Sequence, residues 1–487
     1  MQYNNVVRHK QLLMPAYRYS ERKEAFCLKE DKRKINMLEG TLWDKILRYA
    51  IPIAATGILQ QLFNAADIAV VGQCTGEQGE AAMAAVGANS PIIGLIVNAF
   101  IGVSLGSNVV IAKAVGSNDK KIISKTVHTS VLIAVIIGLI VTLLGELLAT
   151  PILSSQNVPQ DVLPMAVLYF RVYIAGVPVI LLYNFTSAIF RGIGNTKTPL
   201  AALFLSGILN VILNLIFVIF LHMTVNGVAL ATVISNTVSS LILIVVLARS
   251  SGAEQLKWRA LRIHPQTLIR ILRIGVPAGI QSAVFGTANI IIQSAINSLG
   301  TIVMAASSAA FNIEIFAYDV LNSFSQACTT FVGQNYGAGQ IKRCKKAFGL
   351  SYLEGVIATA SAIALILLFG HQFLAIFNEN PEVIEIGYTR LLIIFMSYFF
   401  TLSYEVVSGY MRGFGISITP AVLTVIGICG IRITWIYAVF PKNPTFRNIM
   451  TAYPISLSAT ALLLFAALLI LRPAARMKTE QQSEQKG

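Results

Sequence analysis

The sequence predicts an all-α integral membrane protein of twelve transmembrane helices, arranged as two parallel six-helix repeats, and three observations carry that reading. Hydrophobic residues make up 55% of the chain and charged ones only 12%, with a mean hydropathy of +0.70, which is not the composition of a soluble domain. About twelve stretches are long and apolar enough to cross ~30 Å of hydrocarbon, a distance that takes roughly 20 residues of helix. A short motif returns at a constant offset and divides the chain into halves.

Residues 1–40 form a polar arm of mixed charge without an apolar run, so they are neither signal peptide nor span. Because MLEGTLWDKIL would make a natural start at Met37, the residues before it read as an upstream start or an extension without a role. An N-lobe, 41–250, follows, with spans at 46–72, 82–112, 125–153, 160–190, 199–221 and 227–249. A basic linker, 251–267, leads to a C-lobe, 268–472, with spans at 268–297, 303–334, 347–372, 386–411, 418–440 and 449–471, and then to a tail, 473–487.

The net charge of +15 does not point to nucleic acid, because the basic residues alternate with loop number instead of clustering on one soluble face. Lys and Arg crowd the arm, 113–125, 191–197, 249–273, 342–346, Arg412 and the tail, whereas loops 73–81, 154–161, 222–226, 298–302 and 371–385 have none. This positive-inside pattern places both termini in the cytoplasm of a cell membrane; only Lys442 and Arg447 dissent. The five cysteines, Cys27, Cys74, Cys328, Cys344 and Cys429, lack metal-type spacing and read as packing residues. There is no GxxxxGK[ST], HExxH or GxSxG, so the chain reads as no enzyme, and energy must come from a gradient.

RGIGNTKTP at 191–199 returns as RGFGISITP at 412–420, a shift of 221 that also carries Gly116 onto Gly337 and Ile234-Ser235 onto Ile455-Ser456. ILRYAIP (46–52) and ILRIGVP (271–277) match at a shift of 225. Six helices per half bring each half back to its starting side, so the repeats are parallel and related by an axis along the membrane normal, a transporter architecture. Gly and Pro at Pro52, Gly176-Val177-Pro178 and Gly275-Val276-Pro277 are candidate hinges, and GVSLG at 102–106 fits close helix packing.

Asp67 stands inside an otherwise apolar span, where a carboxylate costs roughly 3 kcal/mol, so a function is expected of it. Gln60, Asn64 and Asp67 form one stripe of the first span; Ser206, Asn210 and Asn214 stripe the fifth. Thr232, Ser235 and Asn236 lie on the sixth span and Asn184 on the fourth. If these faces converge, carboxylate, amide and hydroxyl oxygens would hold a proton or a sodium ion. The cation-coupling set is therefore Asp67, Asn184, Asn210, Asn214 and Thr232, with Asp67, Asn210, Asn214 and Thr232 as metal ligands if the ion is sodium. The amides would otherwise serve as interhelical hydrogen bonds. Gln60, Asn64, Gln281, Glu314, Asp319 and Glu405 are expected to line the substrate path, an acidic cleft that favours cationic guests, unless the acids pair with Arg390, Arg412 or Arg432. Phe285, Phe311, Tyr318 and Tyr404 are among the aromatics able to stack on a flat organic cation.

The paired RGIGNTKTP and RGFGISITP, the run TTFVGQNYGAGQIKRCKKAF (329–348), the block AAMAAVGANSPIIGLIVNAFIGVSLGSNVVIAKAVG (81–116) and YNFTSAIFRG resemble the multidrug and toxic compound extrusion (MATE) family over residues 40–472. The resemblance implies a V of two lobes and antiport of lipophilic, usually cationic compounds against protons or sodium. It places the family's first-helix acid on Asp67, its fifth-helix pair on Asn210 and Asn214, and its sixth-helix Thr on Thr232. The chain departs from the pattern at Asn214, where many relatives carry Asp, at Asn195 in place of the Asp of RGxGD, and near Val284-Phe285, where a seventh-helix acid is missing. It is similar to the bacterial branch named for a DNA-damage-inducible member, which implies coupling through the N-lobe and leans to protons. The expectation is a monomeric drug exporter with no cofactor beyond the coupling ion, its partners being small organic cations and membrane lipid. The alternative is a flippase of the same superfamily for lipid-linked oligosaccharides, disfavoured by an acidic cleft.

Overall fold

A computed structural model describes residues 33–75, 79–155 and 158–475. Cys27, most of the arm and the end of the tail lie outside the described residues.

The chain is a bundle of long helices, because only intrasegment hydrogen bonds satisfy the backbone in hydrocarbon. The first half holds α1 (Trp43–Cys74), α2 (Gly79–Gly116), α3 (Lys120–Ser155), α4 (Leu163–Ala175), α5 (Val177–Gly192), α6 (Lys197–Leu215) and α7 (Val225–Arg249). The second holds α8 (Pro265–Asn297), α9 (Thr301–Gly337), α10 (Ile341–Leu368), the short α11 (Gly370–Ala375), α12 (Pro381–Gly413), α13 (Ile418–Thr424), α14 (Ile431–Thr434) and α15 (Phe446–Leu471). Eleven described helical runs are long and apolar enough to span a membrane, and α4 with α5 make a twelfth span bent by 46°. The bend falls at Gly176, where Val177-Pro178 starts a new helix; Pro52 and Pro277 instead sit inside unbroken α1 and α8. π-helical segments follow α6 (Ile216–Phe220) and flank α14 (Val425–Gly430 and Trp435–Val439).

The lobes are zipped at the end that carries the termini. Gly106 lies against the backbone of Ile271 and Gly275, and Gly102 against Ala278 and Gly279, so close that a Cβ on Gly106 would meet Ile271 O at 2.1 Å. GVSLG thus faces GVPAG (275–279), and two pairs of glycines let α2 and α8 touch backbone to backbone. Gly116 and Gly337 repeat the motif at the ends of α2 and α9, against Gln334 O and Lys113 O. Side chains complete the seam: Tyr49 OH donates to Arg191 O (2.9 Å) and bonds Thr330 Oγ1 (2.9 Å), and Gln334 Nε2 donates to Gly192 O (2.9 Å). Farther from the termini the α2–α8 contact loosens: a Cβ on Gly286 would reach only Leu95, and one on Gly87 or Gly94 would meet no neighbouring element within 4 Å.

Residues 33–36, the described end of that extension, depart from the reading of an extension without a role; the rest of it lies outside the described residues. Met37 is fully buried. Ile35 N bonds Gly194 O (3.0 Å), Lys34 pairs with Glu254 of the linker (2.6 Å), and Arg343 and Asn335 donate to Met37 O. Residues 34–40 therefore strap the N-lobe, linker and C-lobe together. Burial pushes the Glu254 carboxyl up, but Lys34 and Ser250 outweigh it and hold it below the usual range. Cys328, Cys344 and Cys429 are buried, free thiols, in keeping with packing.

Candidate functional site

Gly207 sets the register of the N-lobe pocket. A Cβ there would lie 1.8 Å from the Phe63 ring, so the glycine is the notch that seats Phe63 of α1 in α6. One turn farther along α1, Asp67 meets Asn210 and Asn214, which lie one and two turns beyond Gly207 on α6. Asn214 Nδ2 donates to Asp67 Oδ1 at 2.5 Å and to Asn210 Oδ1 at 3.3 Å. From α7, Thr232 Oγ1 donates to Asp67 Oδ2 at 3.1 Å and accepts from Asn210 Nδ2 at 3.4 Å. Asp67 and Asn210 are buried, and Asn214 is fully so, with Oδ1 left without a partner. No cation reaches Asp67 among the described residues. The pocket is a carboxylate ringed by neutral oxygens and amides, and the π turn at 216–220 follows directly on α6. Such a set accepts a proton on Asp67 or holds a bare hard cation.

Asn184 does not join this cluster. Its Nδ2 bonds Ile180 O in its own helix (2.9 Å), and it lines a separate cavity. It shares the polar character of the pocket residues but lies on α5, beyond the α1–α6–α7 contact.

That cavity, about 440 Å³, lies between the lobes and is lined by α1, α2, α5, α8, α9 and α12–α15, with Pro199 from the start of α6. Gln60, Gln281, Glu314, Asp319 and Glu405 all line it; Asn64 is exposed and does not. The expectation of a cleft of one charge is overturned, because Arg191 and Arg432 line it together with the three acids. Glu314 is neutralised by Arg390, which approaches at 3.0 Å and also donates to Ser307 Oγ. Glu405 accepts from Tyr318 OH (3.4 Å) and Ser325, and Gln281 accepts from Arg412 (2.9 Å). Asp319 crosses to the other lobe, its carboxylate packed on the α1 backbone at Gly57, with Oδ2 unpartnered. Arg191 spans the seam to Gln326 Oε1 (2.6 Å). Aromatic walls come from Tyr183, Phe285, Phe311, Tyr398, Tyr404 and Tyr453.

The sequence offered Arg432 only as a counter-ion for an acid and gave no sign of Arg191, and it showed GVSLG as a close-packing run without its partner GVPAG. The zipper was legible as two four-residue glycine spacings, 102/106 and 275/279, at matching depth in the two halves. Asn195, standing for the more usual acid, bonds Thr198 N (3.1 Å) through Oδ1 and Thr198 Oγ1 (2.8 Å) through Nδ2, so the amide caps the start of α6.

On the terminal face, Lys120, Lys121, Lys125, Arg259, Arg262 and His264 line one basic cleft. It gathers positive charge from the start of α3 and from the linker to the side where the strap lies.

A family model described as MatE matches residues 52–216 and 277–438. The probable multidrug resistance protein YoeA of Bacillus subtilis is 25% identical over 434 residues, covering 87% of this chain and 93% of that one. The probable multidrug resistance protein NorM of Thermotoga maritima is 27% identical over 395 residues, covering 80% and 84%. A structure described as the outward-facing conformation of a multidrug resistance MATE family transporter of the MOP superfamily superposes with a TM-score of 0.81 at 23% identity, covering 92% of this chain and 98% of that one.

Proposed function

The chain belongs to the MatE family, whose model matches both halves, and on that premise we propose that it is a secondary exporter of small organic molecules, including drugs, driven by a proton or sodium gradient. The observation that carries the reading is the Asp67 pocket: one buried carboxylate, neutral donors around it and no fixed counter-ion. A reversible positive charge there alters how α1 packs on α6 and α7.

α1 links that event to the rest of the molecule. Asp67 lies at one end of it, the cavity residues Gly57 and Gln60 in the middle, and Tyr49 of the seam at the other. Eighteen residues of helix separate Asp67 from Tyr49, about 27 Å. An ion that tilts or bends α1 near Pro52 therefore acts at once on the cavity wall and on the hydrogen bonds that close the lobes. The state described is closed at the terminal face and splayed away from it. With the basic cleft and arm on the inner side, as positive-inside charge requires, that is an outward-open transporter in a bacterial inner membrane. The partners follow: guests with aromatic surface, membrane lipid around the bundle, and no nucleic acid.

Arg191 and Arg432 lend some support to the alternative, a flippase holding a lipid pyrophosphate. Three carboxylates in the same cavity count against it. Purified full-length protein in vesicles, loaded with ethidium and given a pH or sodium step, separates the readings. Dye movement that follows the imposed gradient supports export, and dye movement indifferent to both steps counts against it.

A further inference from the structure

The two repeats treat the same position in opposite ways. The shift of 221 that superposes them carries Thr232 onto Tyr453 and Ser235 onto Ser456, and places Arg432 one residue beyond the equivalent of Asn210. The shift of 225 for the opening helices carries Asn64 onto Asn289 and Asp67 onto Ile292. Where the N-lobe gathers neutral ligands around a carboxylate, the C-lobe gathers neutral ligands around a guanidinium.

Arg432 is 1% exposed. Its Nε donates to Ser456 Oγ (3.1 Å) and its Nη1 to Asn289 Oδ1 (3.0 Å); its Cζ lies 4.2 Å from the Tyr453 ring centre and 5.5 Å from that of Phe285. No carboxylate among the described residues pairs with it. A buried guanidinium without a counter-ion is expensive, and this one borders the central cavity. It also sits on a single α-helical turn between two π segments, an irregularity that recurs at functional sites. Across the cavity, Asp319 supplies a carboxylate that no cation meets within salt-bridge distance.

We propose that Arg432, steadied by Asn289, Ser456 and Tyr453, is an anion-accepting subsite of the central cavity, and that the substrates it selects are aromatic zwitterions bearing a carboxylate. The guanidinium supplies a planar fork for the carboxylate, Phe285 and Tyr453 flank the ring system, and Asp319 faces the guest's cationic end. The inference rests on the exporter reading for its biological sense, but its test does not.

The matched probes are rhodamine B, a zwitterion near neutral pH, and its ethyl ester, the same xanthylium cation without the carboxylate. Fluorescence anisotropy measures both on the full chain in lipid nanodiscs. The parent is expected to bind the acid about 10-fold or more tightly than the ester, as a charge-assisted pair replaces solvent. In Arg432→Gln the preference disappears through loss of acid binding, with ester affinity within about twofold of the parent. Arg432→Lys, which keeps the charge and loses the fork, retains part of the preference and serves if the Gln variant does not fold. A parent that binds the ester as well as the acid overturns the proposal, as does an Arg432→Gln protein that keeps the preference. Gradient-driven movement of the ester is read separately. Its absence in the parent would sink the exporter reading and leave the acid-to-ester ratio as measured.

Discussion

Placing one methyl group at Gly106 should shift the whole molecule toward the state open at its terminal face. A Cβ there would lie 2.1 Å from Ile271 O and 3.0 Å from Gly275 N, both backbone atoms of α8 that no rotamer change can move. Carbon–oxygen contacts between packed helices settle near ~3.3 Å, so α2 and α8 must part by about 1.2 Å at that point. Overpacking of this kind costs about 1–3 kcal/mol. Since this contact exists only while the lobes are closed at the terminal end, the cost falls on that state alone and moves the balance by roughly 5- to 150-fold. Ser187, buried on α5 and lining the cavity, gives the readout. With Ser187→Cys in a background free of other thiols, a membrane-impermeant maleimide added to the terminal face of oriented vesicles should label the Gly106→Ala protein at least about fivefold faster than its Gly106 parent. Gly87→Ala, where nothing lies within 4 Å, is the control and should leave the rate unchanged. Equal labelling of Gly106→Ala and parent, or the same increase in Gly87→Ala, would refute the reasoning.

Gly207→Ala should expel the Phe63 ring from its notch, misplace Asp67 and weaken ion-driven transport by about 10-fold, with Phe63→Leu in the same chain restoring much of it in a vesicle efflux assay. Arg390→Met leaves Glu314 buried and unpaired, and should lower the thermal unfolding temperature as a loss of about 3–5 kcal/mol requires, while adding Glu314→Gln recovers most of the drop. The strap carries a pH dependence of definite sign. The Glu254 carboxyl is held below its ordinary range, so its contribution is whole above the unfolded carboxylate value and fades as pH falls through the depressed one. Hydrogen-exchange protection at 34–40, referred to the intrinsic rate at each pH, should therefore be high at neutral pH and fall only in acid, and Glu254→Gln should make it low at every pH.

Legibility in the sequence followed periodicity. Asp67, Asn210, Asn214 and Thr232 could be found because a stripe at i, i+4, i+7 is a face, and a face of polar residues in hydrocarbon has to meet another. The structure brings those four together. Asn184 carries the same chemistry on a helix whose neighbours no spacing rule identifies, and it lines the cavity instead. The acids of the second half were visible as acids, but charge alone does not reveal a partner. Glu314 is matched by Arg390, 76 residues away on α12, whereas Arg432, equally eligible by position, meets only neutral groups. The glycine seam was half visible, since GVSLG read alone is a common spacing and gains meaning only beside GVPAG on α8. Lys34 and Ile35 gave no apolar signal because the strap is held by one ion pair and by backbone atoms.

The central claim is that a reversible charge at Asp67 drives the exchange of open sides. Asp67→Asn keeps the shape of the side chain and its contact with Asn214 and Thr232 while removing the titratable group. In vesicles holding this variant, dye efflux with an imposed proton or sodium gradient should equal efflux without one, and equilibrium dye binding should stay within about threefold of the parent. Gradient-stimulated efflux at the parental rate in that variant would contradict the account.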